Sequence, residues 1–400
     1  MNLNSGYPFW LIKDGLPHTF PKLDSDKTAD VVIIGAGISG ALVRYFLLRA
    51  GVSCITLDAR TIGLGSTSAS TSLLQYEIDT PLHELIAKVG KLQAERAYHL
   101  CNEAISTLED LAAALGFEEF ESRDSLYFAA YKKDTAFLQR EFDARKAAGF
   151  DVSLLDEVAV RQQYGFDAAA GILSKHGAQT NAYAFTHHLL QYKKGKHLDI
   201  YDRTTVVKTE QQWGGVVLHT EPGFTVKAKK VIYATGYEVV EMIDKKIVDL
   251  QSTYAVVSEQ YASRTLFWKD EALLWNTADP YLYLRTTHDG RIIAGGRDEP
   301  FHQHTKRDKL IPQKAKQLAA DVNKLFPGIG FKTEFTWTGT FGATKDGLPY
   351  IGVYDKMPNA FFALGFGGNG ITFSVVAAQI ITDLVQGKKN KDAPIFAFDR

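Results

Sequence analysis

The clearest hydrophobic pattern begins at residue 29. Residues 29–34 form an apolar run broken only by Asp30, the profile of a strand buried on both faces of a parallel sheet. The run gives way at GAGISG (35–40) to ALVRYFLLRAG, where Leu42, Tyr45, Phe46 and Leu48 recur at helical spacing until Gly51 stops the helix. Residues 52–57 are a second apolar run, ending at Asp58. Together they predict one β-α-β unit.

Further on, residues 81–115 read as strongly helical, with Leu85, Leu92, Ala97, Leu100, Ile105, Leu108 and Leu111 as the apolar stripe. The patterning predicts strands at 125–131, 171–174 and 199–201, and helices at 135–148 and 186–194. Residues 205–235 resemble a β-meander (TVVKTE, GVVLHT, FTVKAK, VIYATG), and 251–297 alternate as strands do (STYAVVSEQY, YLYLRTT, GRIIAGG). A helix over 308–325 closes at Phe326-Pro327-Gly328. A strand at 360–364, a glycine-rich loop and a helix over 372–386 ended by Gly387 follow. Residues 1–28 hold Pro8, Gly15, Pro17 and Pro21 without a sustained period, and read as a leader draped over the surface by Trp10 and Phe20. Strands of one sheet thus come from separated stretches, which predicts two interleaved domains rather than two in tandem.

Composition narrows the classes. The 400 residues are 45% hydrophobic and 23% charged with a formal net charge of -1, a globular profile with no global field toward nucleic acid or an anionic membrane. No run reaches the roughly 18 uninterrupted apolar residues of a membrane span, and residues 1–15 lack the layout of a secretory signal. The reading is a soluble, cytoplasmic protein, with nothing to indicate its oligomeric state. Cys54 and Cys101 are too few for a disulfide framework or thiolate metal site and read as core residues. His187-His188 has no accompanying ligand spacing, so no metal is expected. The 5 Trp, 18 Tyr and 24 Phe fit either large cores or a pocket of rings around a flat cofactor.

Gly35-Ala36-Gly37-Ile38-Ser39-Gly40 fits G-x-G-x-x-G, and its setting between strand and helix makes it a dinucleotide fingerprint. Gly35 permits the tight turn, Gly37 lets backbone approach a pyrophosphate, and Gly40 lets helix and strand pack closely. The helix N-terminus then favours the anion. Asp58 ends the next strand at about the roughly 20-residue interval expected of a carboxylate that binds ribose hydroxyls, and disfavours NADP. The fingerprint itself leaves NAD and FAD open.

Three further segments resemble the D-amino-acid oxidase, glycine oxidase and sarcosine oxidase superfamily of FAD-dependent oxidoreductases. Asp58-Ala59-Arg60 followed by GLGSTSAST (63–71) is similar to that family's small-residue loop alongside the pyrophosphate. Ala234-Thr235-Gly236 is similar to its strand end near the adenosine. KDGLPYIG (345–352) with NAFFALGFGGNGIT (359–372) resembles its C-terminal flavin motif. The likeness spans about 28–390. It is narrower still, through GSTSASTSLLQYEID and the terminal GKKNKDAPIFAFDR, to flavin modules that in some bacterial proteins precede a Rieske iron–sulfur domain, whose Cys/His pairs this sequence lacks.

The resemblance implies α/β plus α+β architecture: a Rossmann-like FAD-binding domain, parallel sheet with β-meander, interleaved with an antiparallel-sheet substrate domain. The implied boundaries are a leader at 1–28, a discontinuous FAD domain at 29–82, 150–245 and 337–390, a substrate domain at 83–149 and 246–336, and a tail at 391–400. It implies FAD contacts from Gly35, Gly37, Ile38, Ser39, Gly40, Asp58, Ala59, Arg60, Gly65, Ser66, Thr67, Ser70, Thr71, Val206, Ala234, Thr235, Gly236, Gly367, Gly368, Asn369, Gly370, Ile371 and Thr372. Gly339 stands where sarcosine oxidases carry the cysteine for covalent flavin, so FAD is expected to be held non-covalently.

The sequence departs from the family where relatives clamp a substrate carboxylate with basic residues. Gln75 falls at an Arg position, Thr372 at a Lys position and Phe341 at another Arg position. Arg285 in YLYLRTT is the candidate replacement, and Tyr254 a candidate pocket tyrosine; with Gln75 they form the expected catalytic set. The implied activity is hydride transfer from a C–N bond of a small amine or amino-acid-like substrate to flavin N5, with oxygen or a carrier as acceptor. The alternatives are an electron-transfer component serving a separate iron–sulfur partner and a non-catalytic FAD binder.

Overall fold

Val31, Val32 and Ile33 are at most 1% exposed because the strand Lys27–Ile34 lies in the middle of a sheet, paired in parallel with Thr225–Tyr233 on one side and Cys54–Leu57 on the other. In this computed structural model the described residues are 1–192, 199–221, 223–238, 243 and 246–400. Among them the strands form an eight-stranded and a ten-stranded sheet. The smaller runs Tyr350–Tyr354, Met357–Leu364, Thr225–Tyr233, Lys27–Ile34, Cys54–Leu57, Ile200–Tyr201. From Met357–Leu364 to Ile200–Tyr201 its pairings are parallel, while Gly215–Thr220 and Val206–Gln212 extend it as the expected antiparallel meander.

The parallel strands therefore end together. At their carboxyl ends stand the Gly35 turn, Asp58, Ala234-Thr235-Gly236 and the loop from Gly365, the edge where open parallel sheets bind ligands. The helix Ile38–Arg49 follows the first strand and packs on Gly370–Val385. The stretch Gly367–Val385 is long and apolar enough by composition to cross a membrane. In this fold Ile371, Phe373, Val375, Val376, Ile380 and Ile381 of that helix are buried in the main core.

The larger sheet is mostly antiparallel. It runs Asn4–Gly6, Thr333–Ala343, Asp249–Ser258, Ile292–Glu299, Tyr283–Thr286, Leu273–Asn276, Phe120–Phe128, Ala170–Thr180, Leu73–Gln75, with Val152–Asp156 paired to Ala170–Thr180. The strands at 73–75 and 170–180 pair here, although their segments were assigned by resemblance to the FAD domain.

Several elements differ from their reading in the sequence. The helix of 81–115 is two, Leu82–Val89 and Lys91–Leu115, because Gly90 at φ 87° breaks the run. The strand expected at 171–174 extends over Ala170–Thr180. The helix expected over 186–194 is Ala182–Leu190, begun by the Asn181 side chain accepting from Ala184 N–H; residues 193 and 194 lie outside the described residues. The leader is no loose drape. Asn4–Gly6 adds an edge strand to the larger sheet, and Phe9–Asp14 is a helix that buries Phe9 and Trp10.

Candidate active site

The GAGISG turn is built as its glycines require. Gly35 sits at φ 102°, and a Cβ there would come within 2.3 Å of Ala234 O; one on Gly40 would lie 1.9 Å from Gly35 O. Gly37 begins the helix, and its neighbour Ile38 donates its N–H to Thr67 Oγ1 at 3.0 Å. Asp58 binds both sides of the turn: Oδ2 accepts from Ala36 N–H at 2.7 Å and Oδ1 from Arg60 N–H at 2.8 Å. Burial pushes its carboxyl above the usual range, against those two hydrogen bonds. Arg60 is held by Glu238 at 2.5 Å.

The small-residue loop is fixed from several directions. Asn4 donates to Leu64 O and Gly65 O, Trp10 Nε1 to Ser70 O at 2.7 Å, and Trp337 Nε1 to Ala69 O at 2.8 Å. Arg285 Nη1 donates to Thr71 O, Ser72 O and Thr180 O at 3.1, 3.0 and 2.7 Å. Satisfying carbonyls from behind leaves the loop's other face free to line a cavity.

One cavity joins these parts. It runs from Gly35, Gly37, Ile38 and Ser39 past Asp58, Ala59, Arg60, Gly65, Ser66, Thr67, Ser70 and Thr71 to Gln75, is flanked by Ala234, Thr235 and Gly236, and ends at Gly367, Gly368, Asn369, Gly370 and Ile371. Two lining hydroxyls, Ser66 Oγ and Thr235 Oγ1, are buried without a hydrogen-bond partner. A long slot with a glycine bend at each end, helix N-termini at Ile38 and Gly370, and orphaned donors between them fits a stretched FAD. Neither cysteine lines it.

Near the second glycine bend the cavity is also lined by Trp275, Tyr281, Tyr283, Phe341, Phe366, Asp79 and Asp298. Asp79 Oδ2 accepts from Gly368 N–H at 2.7 Å and Oδ1 from the Tyr281 hydroxyl at 3.2 Å. Burial raises the Asp79 carboxyl, and the same cause, with Asp79 adding repulsion, pushes Asp298 up to about 7. Behind this wall Trp275 stacks on Tyr127 at 3.7 Å between ring centroids, with the buried Arg145 beneath both. Arg145 pairs with Glu141 at 2.7 Å and Glu77 at 3.3 Å.

Five expected site residues stand elsewhere. Gly40 packs against the Gly35 carbonyl rather than lining the cavity, as its close-packing task demands. Val206 begins an outer meander strand away from the slot. Thr372 does not line it; its hydroxyl donates to Asn369 O at 3.0 Å, turned back into its own helix start. Tyr254 is buried in a separate core beneath the larger sheet and donates to Arg307 O at 3.2 Å. Arg285 is buried with its guanidinium committed to backbone carbonyls, so it cannot clamp a substrate. Gln75 does line the cavity, its amide donating to Ser125 Oγ at 3.1 Å.

The sequence reading missed Asp79, Trp275, Tyr281, Tyr283 and Asp298. Signals existed: Asp79 ends the small-residue motif itself, and Tyr281 and Tyr283 share the parity of Arg285 in the alternating run.

Comparison with known proteins agrees with this geometry. The family model described as DAO, FAD dependent oxidoreductase, matches residues 30–384. The putative Rieske 2Fe-2S iron-sulfur protein YhfW of Bacillus subtilis (strain 168) is 23% identical over 98% of this chain and 75% of its own length. Glycine oxidase of the same organism is 22% identical over 92% of this chain and 96% of its own. The crystal structure of glycine oxidase from Geobacillus kaustophilus superposes with a TM-score of 0.77 at 19% identity, covering 94% of this chain and 99% of that one, and so shares the fold.

Proposed function

The chain belongs to the DAO family of FAD-dependent oxidoreductases, and on that footing we propose that it oxidises a C–N bond of a small amine. When bound, FAD supplies the two-electron acceptor for a hydride leaving the carbon beside nitrogen. The residues that would hold its diphosphate are those of the Gly35–Gly40 turn, with Asp58 at the ribose and the Arg60–Glu238 pair at the adenosine end. The ring end falls to Ser70, Thr71, Gln75 and the Gly367–Ile371 loop.

This chain's own side chains do the rest. Trp275, Tyr281, Tyr283, Phe341 and Phe366 exclude water and restrict the substrate's orientations, the main lever where the cofactor carries the chemistry. Gln75, pinned through Ser125, is oriented to hydrogen-bond a substrate polar atom. The positive end of the helix Gly370–Val385 faces the cavity and favours negative charge there. A neutral amine needs no strong base to release hydride, which fits a wall whose acids are carboxylates near aromatic rings. On the same reading, electrons pass to oxygen or a carrier in the cytoplasm.

The observation that carries this reading is the continuity of one cavity from the first glycine bend to the aromatic wall. Anaerobic bleaching of the flavin absorbance by a panel of amines, amino acids and hydroxy acids tests it. At least one amine is expected to bleach the flavin; bleaching by hydroxy acids alone overturns the proposal.

A further inference from the structure

The substrate end of the cavity has an unusual charge balance for a site that resembles amino-acid oxidases. Among the described residues Arg60 is the one basic side chain lining the cavity, and it is occupied by Glu238 at the nucleotide end. Gln75 and Phe341 are neutral, and Thr372 is turned away. The two nearby buried arginines are both committed, Arg285 to carbonyls and Arg145 to Glu77 and Glu141. Facing the same space are the carboxyls of Asp79 and Asp298, close enough to repel each other.

Resting on the amine-oxidation reading above, we propose that the substrate is a diamine-type cation: it carries a second nitrogen, protonated throughout, remote from the reacting C–N bond and no carboxylate beside it. Asp79, with Asp298, holds the remote ammonium against Trp275, Tyr281 and Tyr283.

Four observations carry this. A substrate carboxylate would meet two carboxyls and no free cation among the described residues lining the cavity, a like-charge juxtaposition that disfavours its binding. Asp79 is held in place at the cavity, since the Gly368 N–H and the Tyr281 hydroxyl each fix one of its two oxygens. That placement depends on the glycine loop: a Cβ on Gly367 or Gly368 would lie 2.8 or 2.6 Å from an Asp79 oxygen. Independently of Asp79, Asp298 Oδ1 on the same cavity is buried without a hydrogen-bond partner, whereas Glu77 is already paired with Arg145 and Ser174. The rings line the same space: Trp275 and Tyr281 meet edge-on at 6.2 Å and Tyr281 and Tyr283 are tilted at 5.7 Å, an aromatic lining of the kind that accommodates an ammonium.

The chemistry balances within that reading. The neutral reacting nitrogen and its carbon lose a hydride, two electrons and one proton, to FAD. The resulting iminium adds water and releases a carbonyl compound and an amine. The remote ammonium keeps its proton throughout.

The test compares two probes with the same reacting N-methylamine: N-methyl-1,4-diaminobutane, which ends in an ammonium, and N-methylglycine, which ends in a carboxylate. Apparent Kd values are read from anaerobic flavin bleaching of the holoenzyme. The diamine should bind at least about tenfold more tightly, and Asp79→Asn should remove about that factor while improving N-methylglycine, as expected for one desolvated charge pair. Asp298→Asn should act in the same direction, which keeps the test open if one variant folds poorly. Preference for N-methylglycine, or a diamine Kd indifferent to both substitutions, overturns the inference. If neither probe bleaches the flavin, a bis-quaternary diammonium, which cannot be oxidised, separates the two proposals. Perturbation of the flavin spectrum that weakens in Asp79→Asn keeps the cation site and leaves amine oxidation to the panel above; no perturbation rejects the cation site.

Discussion

Gly368 donates its backbone N–H to Asp79 Oδ2 at 2.7 Å across 289 residues of chain. The bond joins the irregular segment after the strand Leu73–Gln75 to the glycine bend before the last helix, so one contact ties the acid at the ring end to that bend. Gly368→Ala would put a Cβ 2.6 Å from Asp79 Oδ1 and 3.0 Å from the Tyr281 hydroxyl. The variant is expected to fold, retain less FAD and bind the diamine at least about fivefold more weakly, since an ion pair responds steeply to geometry. Flavin content and bleaching titrations check this; unchanged values for both would contradict it.

The glycines of the first turn separate folding from cofactor binding. At Gly40 an added methyl meets backbone 1.9 Å away, and nothing flexible can yield. Gly40→Ala should therefore cost several kcal/mol, in the range of severe overpacking, and lower expression or melting temperature outright. At Gly37 the nearest atom is a side-chain oxygen, Thr67 Oγ1 at 2.8 Å. Gly37→Ala should melt near wild type when stripped of cofactor yet lose most of its FAD affinity, measured by fluorescence titration of the apoprotein.

Arg285→Ala is expected to act on stability rather than as loss of a substrate clamp. It strips hydrogen bonds from the buried carbonyls of Thr71, Ser72 and Thr180 and packing from Trp10, whose ring lies 5.5 Å from the guanidinium. A loss of about 3–5 kcal/mol follows for such a buried network. Lysine should rescue little, because a point charge cannot replace the planar fork. Denaturant unfolding of the apoprotein measures it; a variant of wild-type stability with a selective rise in substrate KM would contradict it.

What the sequence made legible was local. Strand, glycine turn, helix and the Asp58 that ends the next strand lie in one short segment, and each fell where its pattern placed it. The small-residue loop and the Gly367–Ile371 bend were readable through resemblance, because backbone passage along a flat cofactor demands small residues in sequence. The acid at the ring end was not, because Asp79 acquires its meaning from Gly368 and Tyr281, which the fold brings from distant segments. Arg285 misled for a related reason. It shares strand parity with Tyr281 and Tyr283, but alternation gives a face, not a position along it, and the arginine lies where the strand passes behind the loop. Tyr254 sits on a strand whose face alternates between the cavity, at Thr253, and the separate core it occupies.

The Asp298 carboxyl, pushed up to about 7 by burial and by Asp79, with the Thr253 hydroxyl and Lys314 opposing and Asp279 adding to the rise, predicts a pH response in a working range. Ionisation above that value adds negative charge to the pocket. A bis-quaternary diammonium, whose own charge does not titrate, should bind several-fold more tightly at about pH 8 than at about pH 6. Asp298→Asn should flatten the profile, and a flat profile in the wild type would contradict the assignment.

The same shift has a stability consequence. The folded carboxyl holds its proton more tightly than the unfolded one, whose ordinary value is 3.8. Its contribution is full below that value and is lost as pH rises through about 7. Asp298→Asn should thus raise the melting temperature at about pH 8 more than at about pH 5, by scanning calorimetry. An effect of the reverse sign would contradict it.

The most direct measurement is the FAD content of the purified chain and of its single glycine variants at opposite ends of the slot, Gly37→Val and Gly368→Val. One non-covalent FAD per chain, released on denaturation, is expected, with occupancy falling in both variants because one molecule spans both bends. A colourless protein that FAD does not stabilise, or a flavin whose occupancy depends on one bend and ignores the other, would contradict it.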